Sequence, residues 1–209
     1  DPFVNLVPQY FPGVSKRADA EIVTGALSGA VTGIDFELPE GAIISGTVTA
    51  EGSGAPLFDI EVVVESEEFD IDRSVYTDDN GDWTMRGLPT GDDYTVRFID
   101  GNDTYLSEFY EDSPRRSGAT PVALQQGSTT ANIDAALTAA ASIAGRVVDE
   151  QGNGIADVQV YVAFNGLLDD RVTEYFFTDS NGEFSADRLR PGDYRVLVSD
   201  IYNAQTVYR

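Results

Sequence analysis

The chain contains one sequence repeat in a shifted phase. Residues 4–41 resemble residues 103–140, and residues 43–98 resemble residues 142–198. A repeat of about 100 residues is too long for one turn of a solenoid and matches the size of a β-sandwich domain. The shifted phase therefore predicts one complete domain flanked by pieces of two others.

The alternation of apolar and polar residues predicts strands. It runs through Ile34, Phe36 and Leu38, whose neighbours Asp35 and Glu37 are acidic. A period of two is typical of strands that are buried on one face. The same period returns in four later segments: 60–65, 94–98, 158–162 and 194–198. Asn-Gly pairs, which favour tight turns, separate several of these segments, so the fold class predicted is all-β.

The net charge of the chain limits its partners. It has 36 acidic and 13 basic residues and a formal charge of -23, and Lys16 is the only lysine. Binding to nucleic acid or to anionic lipid depends on a basic patch. We therefore expect no nucleic acid and no membrane partner, and no apolar run is long enough to insert into a bilayer.

Composition also argues against catalysis and for an external location. Cysteine and histidine are absent, so no thiol, disulfide or imidazole base is available. Acidic residues are too numerous to single out a catalytic carboxylate pair. The chain begins at Asp1 without an apolar leader, and salt screens charges on an acidic surface within about 10 Å. We expect a processed, extracellular or cell-surface protein without enzyme activity.

Both repeats carry the same series of short motifs. The first has them at 44–48, 60–64, 77–83 and 88–96, and the second at 143–147, 158–162, 177–184 and 189–196. Together they resemble the carboxypeptidase regulatory-like domain. The resemblance implies tandem Greek-key β-sandwich domains of the Ig-like, transthyretin-like and collagen-adhesin B type. Such domains occur in surface proteins of bacteria and archaea and as accessory modules of secreted enzymes, and their fold alone does not determine an activity.

The repeat boundaries predict three segments. Residues 42–140 form a complete sandwich, and residues 141–209 begin a second one without the strands that would match 120–138. Residues 1–41 are equivalent to the late strands of a repeat. An open sandwich leaves backbone groups unpaired and an apolar face exposed, so it is a template for another strand.

Three arrangements would complete the second sandwich. Residues 1–41 of one subunit can complete residues 142–209 of the next, which gives a head-to-tail homopolymer. The same residues can fold back onto residues 142–209 of their own chain, or the chain is a section of a longer tandem array. We favour the homopolymer, because a fold-back has to reach across the domain that follows residue 41 directly.

Acidic turns are the candidate metal sites. Asp78, Asn80 and Asp82 surround one Asn-Gly turn, and Asp179, Asn181 and Glu183 repeat the arrangement. Calcium is bound by six to eight oxygen ligands from flexible, carboxylate-rich loops, so these residues predict partial calcium sites. The alternative is structural, because Asp and Asn at turns also bond their own backbone.

Aromatic residues have a structural and a binding interpretation. Tyr94 and Tyr194 follow Gly-Asp sequences at strand starts, where a tyrosine corner is expected. Trp83 is expected at the core or its edge. A glycan-binding platform would need several exposed aromatic residues on one face, for which Trp83, Tyr105 and Tyr110 are the candidates.

The sequence therefore predicts a non-enzymatic extracellular structural protein that assembles by β-strand complementation between sandwich domains, with calcium as a stiffening ligand. The alternative is a carbohydrate- or protein-binding accessory module of a surface adhesin or secreted enzyme.

Overall fold

The computed structural model describes residues 5–25, 29–164 and 173–199. The chain divides into two compact units. Unit 1 comprises Asp1–Asn102 and Ser107–Leu137, and unit 2 comprises Asp103–Leu106 and Thr138–Arg209. The short segment Asp103–Leu106 thus belongs to unit 2, although strands of unit 1 precede and follow it.

The described residues of unit 1 form strands β1 to β9 and two short 3-10 helices. The strands are β1 (Ala42–Ala50), β2 (Ile60–Ser66), β3 (Ile71–Tyr76), β4 (Asp82–Leu88), β5 (Gly91–Asp100), β6 (Glu108–Phe109), β7 (Val122–Leu124), β8 (Thr129–Thr130) and β9 (Ala135–Leu137). The 3-10 helices are Arg17–Asp19 and Arg116–Gly118.

Unit 1 contains two sheets. In one, β1 pairs antiparallel with β4 and parallel with β8 and β9. In the other, β2 lies between β3 and β5, and β5 also pairs with β6 and β7. Since β1 and β4 share one sheet while β2, β3 and β5 share the other, the chain crosses between the sheets three times from β1 to β5.

The core of unit 1 lies between the inner faces of these sheets. Ile60, Val62 and Val64 of β2 are buried, as their alternation predicts. Trp83 of β4 meets Phe98 of β5 edge to face, with ring centroids 6.1 Å apart. Such edge-to-face contacts add to the free energy gained by burial. The prediction of an all-β sandwich fold is therefore confirmed.

Unit 2 repeats the first part of this architecture. Its strands are β10 (Ala141–Arg146), β11 (Gln159–Phe164), β12 (Thr173–Phe177), β13 (Glu183–Leu189) and β14 (Tyr194–Ser199). β10 pairs with β13, and β11 lies between β12 and β14. A small core of Val160, Val162, Ala186 and Leu189 lies between the sheets.

The segment before β1 does not form the strand predicted at 34–38. It contains the first 3-10 helix and the isolated bridges Leu6 to Glu40 and Tyr10 to Val14. The apolar residues of 34–38 are exposed: Ile34 is 37%, Phe36 48% and Leu38 40% accessible. A strand needs a neighbouring backbone, and none of the described residues pairs with 34–38.

Candidate functional site

The edge of β1 in unit 1 is closed by the segment around β9. The Ile133 N–H donates a hydrogen bond to the Ser45 carbonyl at 3.1 Å. The Thr47 N–H donates to Asp134 Oδ1 at 2.8 Å. A side-chain carboxylate thus extends the pairing that the parallel strands begin, and the late part of the repeat completes unit 1 through the backbone of β1.

A glycine permits this close approach. A Cβ atom at Gly46 would lie 2.0 Å from the carbonyl oxygen of Ile133, closer than any side chain allows. A glycine inside a strand often marks such a crossing of two backbones. Gly145 occupies the equivalent place in β10, where a Cβ atom would meet the Phe184 ring first, at 2.7 Å. Unit 2 therefore has the equivalent glycine in β10 and lacks, among its described residues, the segment that crosses it.

The open edge of unit 2 leaves equivalent residues more exposed than in unit 1. Ile44 and Val96 are both 0% accessible. Their counterparts are Ile143, which is half-buried, and Val196, which is 46% accessible. In the described part of unit 2, β10 pairs only with β13. The surface that unit 1 covers with its late strands is therefore accessible apolar surface in unit 2.

The segment before β1 has the local shape of the late part of unit 1. The bridge between Tyr10 and Val14 matches the bridge between Phe109 and Ser113. Each is followed by a 3-10 helix, at Arg17–Asp19 and Arg116–Gly118. The segment thus adopts the turns of a sandwich-completing strand region, while Ile34, Phe36 and Leu38 remain exposed.

A residue with left-handed backbone conformation stands at the same place in the segment before β1 and in the late part of unit 1. Asn132 has φ 64° directly before Ile133, and Gly33 has φ 83° directly before Ile34. Only glycine and a few polar residues adopt this backbone conformation without strain. The kink that directs Ile133 across Gly46 in unit 1 is therefore also present ahead of Ile34.

An asparagine clamp attaches the first described residues to unit 1. Asn5 Oδ1 accepts a hydrogen bond from the Gly87 N–H at 2.8 Å, and its Nδ2 donates to the Gly41 carbonyl at 2.5 Å. Val7 beside it is buried, and its N–H donates to the Pro39 carbonyl. Sequence reasoning missed this clamp, because no periodicity or turn signal marks Asn5.

A buried threonine fastens the start of β2 and of β11 in the same way. The Thr77 hydroxyl donates to the Leu57 carbonyl at 2.6 Å and accepts from the Ile60 N–H at 3.0 Å. Thr178 makes the equivalent bonds in unit 2, at 2.7 and 2.9 Å. Sequence reasoning also missed this pair. The signal was present, since a threonine stands at the same place before both acidic turns.

The acidic turns use their first carboxylate to hold the backbone. Asp78 Oδ1 accepts hydrogen bonds from the N–H groups of Asn80 and Asp82, at 2.9 and 3.0 Å. Asp179 Oδ1 does the same with Asn181 and Glu183, both at 2.8 Å. These bonds from Glu183 and Asn181 lower the pKa of Asp179 below its ordinary value. The turns thus contain the self-bonded Asp that the structural interpretation expects.

Calcium at these turns stays a prediction. The six residues predicted for it lie at the turn between β3 and β4 and at the turn between β12 and β13. Asp82 and Glu183 are the first residues of β4 and β13. Across the described ranges, no three acidic side chains come close enough together to hold a metal ion. Any calcium bound there would take further ligands from backbone carbonyls or water.

The tyrosine corners are confirmed in both units. The Tyr94 hydroxyl donates to the Pro89 carbonyl, and the Tyr194 hydroxyl donates to the Arg190 carbonyl, both at 2.8 Å. Burial raises the pKa of Tyr94 well above its ordinary value, with a further contribution from the charge of Asp93. Both phenols are structural groups, and that of Tyr94 remains neutral at physiological pH.

The aromatic residues proposed for a glycan platform are not together on an exposed face. Trp83 is 3% accessible, so it belongs to the core, and Tyr105 and Tyr110 are half-buried. A cluster of neighbouring aromatic rings with exposed members occurs on unit 2. Tyr175 and Phe177 of β12 are 60% and 48% accessible, and Tyr161 of β11 lies 6.4 Å from Tyr175 between ring centroids.

Membrane insertion through a helix has no support in the residues that the structure places. The helices found there are 3-10 helices of three residues, and none could cross a bilayer.

Comparison with protein families gives one match. The model of the carboxypeptidase regulatory-like domain matches residues 43–138 and again residues 142–209. The two matched stretches are the two repeats read from the sequence. No curated protein matches the chain.

Several solved structures have a similar fold. The TIE protein of Bacillus anthracis is 18% identical, with 76% of this chain and 28% of that chain covered and a TM-score of 0.38. A streptococcal ancillary pilin is 15% identical, with coverages of 77% and 54% and a TM-score of 0.39. The minor pilin of Streptococcus agalactiae is 12% identical, with coverages of 77% and 83% and a TM-score of 0.34. The chain thus spans about a quarter and about half of the first two, and similarities at this level carry no argument about function.

Proposed function

The chain belongs to the carboxypeptidase regulatory-like domain family, and from that premise we propose that it is a non-enzymatic structural protein of the cell surface or extracellular space. Its copies join head to tail. Residues 1–41 of one copy supply late strands to unit 2 of the next, as the late strands of unit 1 do within one chain. Each copy offers one donor segment and one acceptor unit, so the contact is heterologous and propagates into a filament.

One observation carries this proposal. Two apolar residues of the donor segment are exposed, whereas their counterparts in unit 1 are buried: Ile34 is 37% accessible against 4% for Ile133, and Leu38 is 40% accessible against 0% for Leu137. On the acceptor side, Val196 is exposed where Val96 is buried. Burying both surfaces against each other removes apolar area from water, which is the main favourable term in association.

The composition supports an external location. A charge of -23 with a single lysine makes the surface strongly acidic. The resulting self-repulsion weakens where salt shortens the range of electrostatic interactions. The same repulsion opposes association, so we expect filaments to form more readily as ionic strength rises.

Sedimentation velocity over a range of protein concentrations tests the proposal, with electron microscopy of the same samples. We expect the mean mass to grow with concentration and linear assemblies to appear. A monomeric mass at every concentration, in a protein with a full β-sheet circular dichroism signal, contradicts the proposal.

A matched pair of variants assigns the assembly to the donor segment. Ile34→Asp places a charge where the counterpart Ile133 is buried, and we expect it to suppress assembly. Ile22→Asp makes the same change at a residue that is 93% exposed. Equal suppression by both variants points to the added charge rather than to the site.

Carbohydrate binding is the second candidate function, favoured by the aromatic rings on unit 2. Tyr161, Tyr175 and Phe177 form a continuous strip, with 5.9 Å between the centroids of the last two rings. Aromatic side chains that keep one face accessible are common contacts for sugar rings. Accessory modules of secreted enzymes and adhesins would use such a surface.

Glycan-array binding of the intact chain tests this second function. Tyr175→Ala is expected to abolish a glycan signal that Tyr76→Ala leaves intact, because Tyr76 is the exposed aromatic residue of β3 in unit 1. A wild-type chain without glycan signal removes the candidate.

A further inference from the structure

The outer edge of β10 presents the backbone that β1 offers to residues 133 and 134 in unit 1. In β1, Ser45 accepts from Ile133, and Thr47 donates to Asp134. The pairing of β10 with β13 follows the pairing of β1 with β4 residue by residue, so Ala144 and Arg146 stand in the places of Ser45 and Thr47. The acceptor positions for one particular tripeptide are thus present in unit 2.

We infer that this edge binds Gly33-Ile34-Asp35 of a second copy of the chain, and that Arg146 recognises Asp35. The inference rests on the proposed strand complementation and adds its register and its specificity-determining pair. Ile34 takes the place of Ile133, and Asp35 takes the place of Asp134.

The glycine in β10 fixes where the donor crosses. The Ile133 carbonyl passes over Gly46 so closely that a Cβ there would be only 2.0 Å from it. Gly145 stands at the equivalent position of β10, where a Cβ atom would lie 2.7 Å from the Phe184 ring. A donor shifted by one residue would turn its apolar side chains to the opposite face, so the crossing point and the apolar pattern select one register.

The donor is already bent for this register. Gly33 is in the left-handed region at φ 83°, as Asn132 is at φ 64° one residue before the crossing in unit 1. A segment that holds its bound conformation loses less conformational entropy on binding. The cost of ordering residues 33–35 on the acceptor edge is correspondingly smaller.

Charge complementarity identifies the occupant. The residue that replaces Thr47 in the second repeat is Arg146, one of 13 basic residues in a chain with 36 acidic ones. Its Nε donates to the Asn181 carbonyl at 2.8 Å, in the turn before β13. In this register Asp35 can accept from the Arg146 N–H and also face its guanidinium, a charge pair that unit 1 does not have.

The matching segment of unit 1 is not available as the occupant. Ile133 is 4% accessible and Leu137 is 0% accessible, because both are packed within unit 1. Residues 33–38 carry the same pattern with their apolar side chains exposed. The occupant is therefore the donor segment.

A charge exchange tests the pair in the intact chain. Asp35→Arg and Arg146→Glu each place like charges in contact, and we expect each variant alone to associate at least about tenfold more weakly than wild type. In an equal mixture of the two variants, the substituted donor of one meets the substituted acceptor of the other, and the native donor meets the native acceptor. Opposite charges then face each other at both junctions, so the mixture is expected to recover wild-type association.

Two control variants change the charge by the same amount elsewhere. Asp19→Arg alters an exposed residue of the first 3-10 helix, and Arg86→Glu alters an exposed residue of β4. Both are expected to leave association within about twofold of a wild-type sample at matched ionic strength. Effects as large as those at Asp35 and Arg146 would overturn the assigned pair.

Sedimentation velocity separates failure of the inference from failure of the proposed function. Wild-type protein that does not associate at all contradicts strand complementation between copies, and the inference falls with it. Wild-type protein that associates, with Asp35→Arg and Arg146→Glu both unaffected, overturns only the inference. Rescue in the double variant Asp35→Arg/Arg146→Glu without rescue in the mixture shows a contact within one chain and also overturns it.

Discussion

Units 1 and 2 make the same local hydrogen bonds but differ in how far their apolar side chains are buried. The tyrosine corner, the threonine that fastens the second strand of each unit and the self-bonded acidic turn occur in both with nearly the same distances. Val96 and Val196 nevertheless differ from 0% to 46% accessible. Local turn geometry is thus independent of the late strands, whereas burial of the core depends on them.

This difference separates two roles within one repeat. The first five strands of each unit make the turns and the framework, and the late strands contribute burial along the edges of the framework. A unit with only the framework can adopt the correct topology while its apolar faces remain accessible. Such faces in a soluble protein mark interaction sites.

The largest expected effect comes from removing a late-strand side chain. Ile133→Ala should lower the free energy of unfolding of unit 1 by about 3 kcal/mol, because it leaves a cavity beside β1. Ile34→Ala should leave unit 1 unchanged, since Ile34 is exposed, and should weaken association instead. Chemical denaturation measures the first effect and sedimentation the second. A loss of unit 1 stability in both variants would contradict the conclusion that Ile133 is part of the unit 1 core and Ile34 is not.

A smaller and equal effect is expected from the two threonines. Thr77→Val and Thr178→Val keep the side-chain shape but remove the hydroxyl that bonds two backbone groups, so each should cost its own unit about 2 kcal/mol. Both hydroxyl groups are buried to a similar degree, with 2% and 3% accessibility of the residues. Thermal unfolding measures the change. A loss of stability in Thr77→Val but not in Thr178→Val would mean that the threonine hydrogen bonds stabilise a unit only when its late strands are present.

Acid should weaken unit 1 partly through Asp93. Partial burial raises the pKa of this carboxyl, but hydrogen bonds from the Glu68 N–H and the Ser66 hydroxyl outweigh it and hold the pKa below its ordinary value. The resulting stabilisation is present above the unfolded-state pKa of about 3.9 and is lost as pH falls through the lower folded-state pKa. Asp93→Ala should therefore flatten the acid limb of unit 1 stability. An unchanged acid limb contradicts the assignment.

The smallest effect is expected from calcium. Free calcium at its dissociation constant adds about 0.4 kcal/mol to the stability of the state that binds it. For a unit of this size that raises Tm by about 2–3 °C. Unfolding in calcium and in chelator, with Asp78→Asn and Asp179→Asn as controls, measures the shift in each unit. An unchanged Tm at millimolar calcium removes the predicted metal sites.

The parts of the fold that the sequence predicts are those with a local signal. Alternation locates the inner faces of β2 and β5, and the Gly-Asp-Tyr pattern locates the corners at Tyr94 and Tyr194. Gly46 and Gly145 interrupt alternating strands at equivalent places, and that interruption indicates where another backbone crosses. The sequence shows that the two glycines share a position in the repeats. Only the structure, in which the Ile133 carbonyl would lie 2.0 Å from a Cβ at Gly46, shows why a glycine is needed there.

Other features depend on residues that are distant in sequence. Asn5 acquires its role from Gly41 and Gly87, which no local pattern connects to it. The alternation at 34–38 predicts a strand, but a strand forms only beside another backbone, so the same pattern is realised at 135–137 and not at 34–38. A period of two indicates which side chains can be buried and does not identify the partner.

The parallel pairing of β1 with β8 and β9 determines how unit 1 responds to a pulling force. β1 starts at Ala42, and β9 ends at Leu137, at the opposite end of the ladder. Tension applied through these two points acts along the strands, so the bonds from Ile133, Thr47 and their neighbours share the load and must break together. An antiparallel hairpin pulled from its open end would release its bonds one at a time. Unit 1 is therefore built as a shear clamp, a property suited to a chain that transmits load.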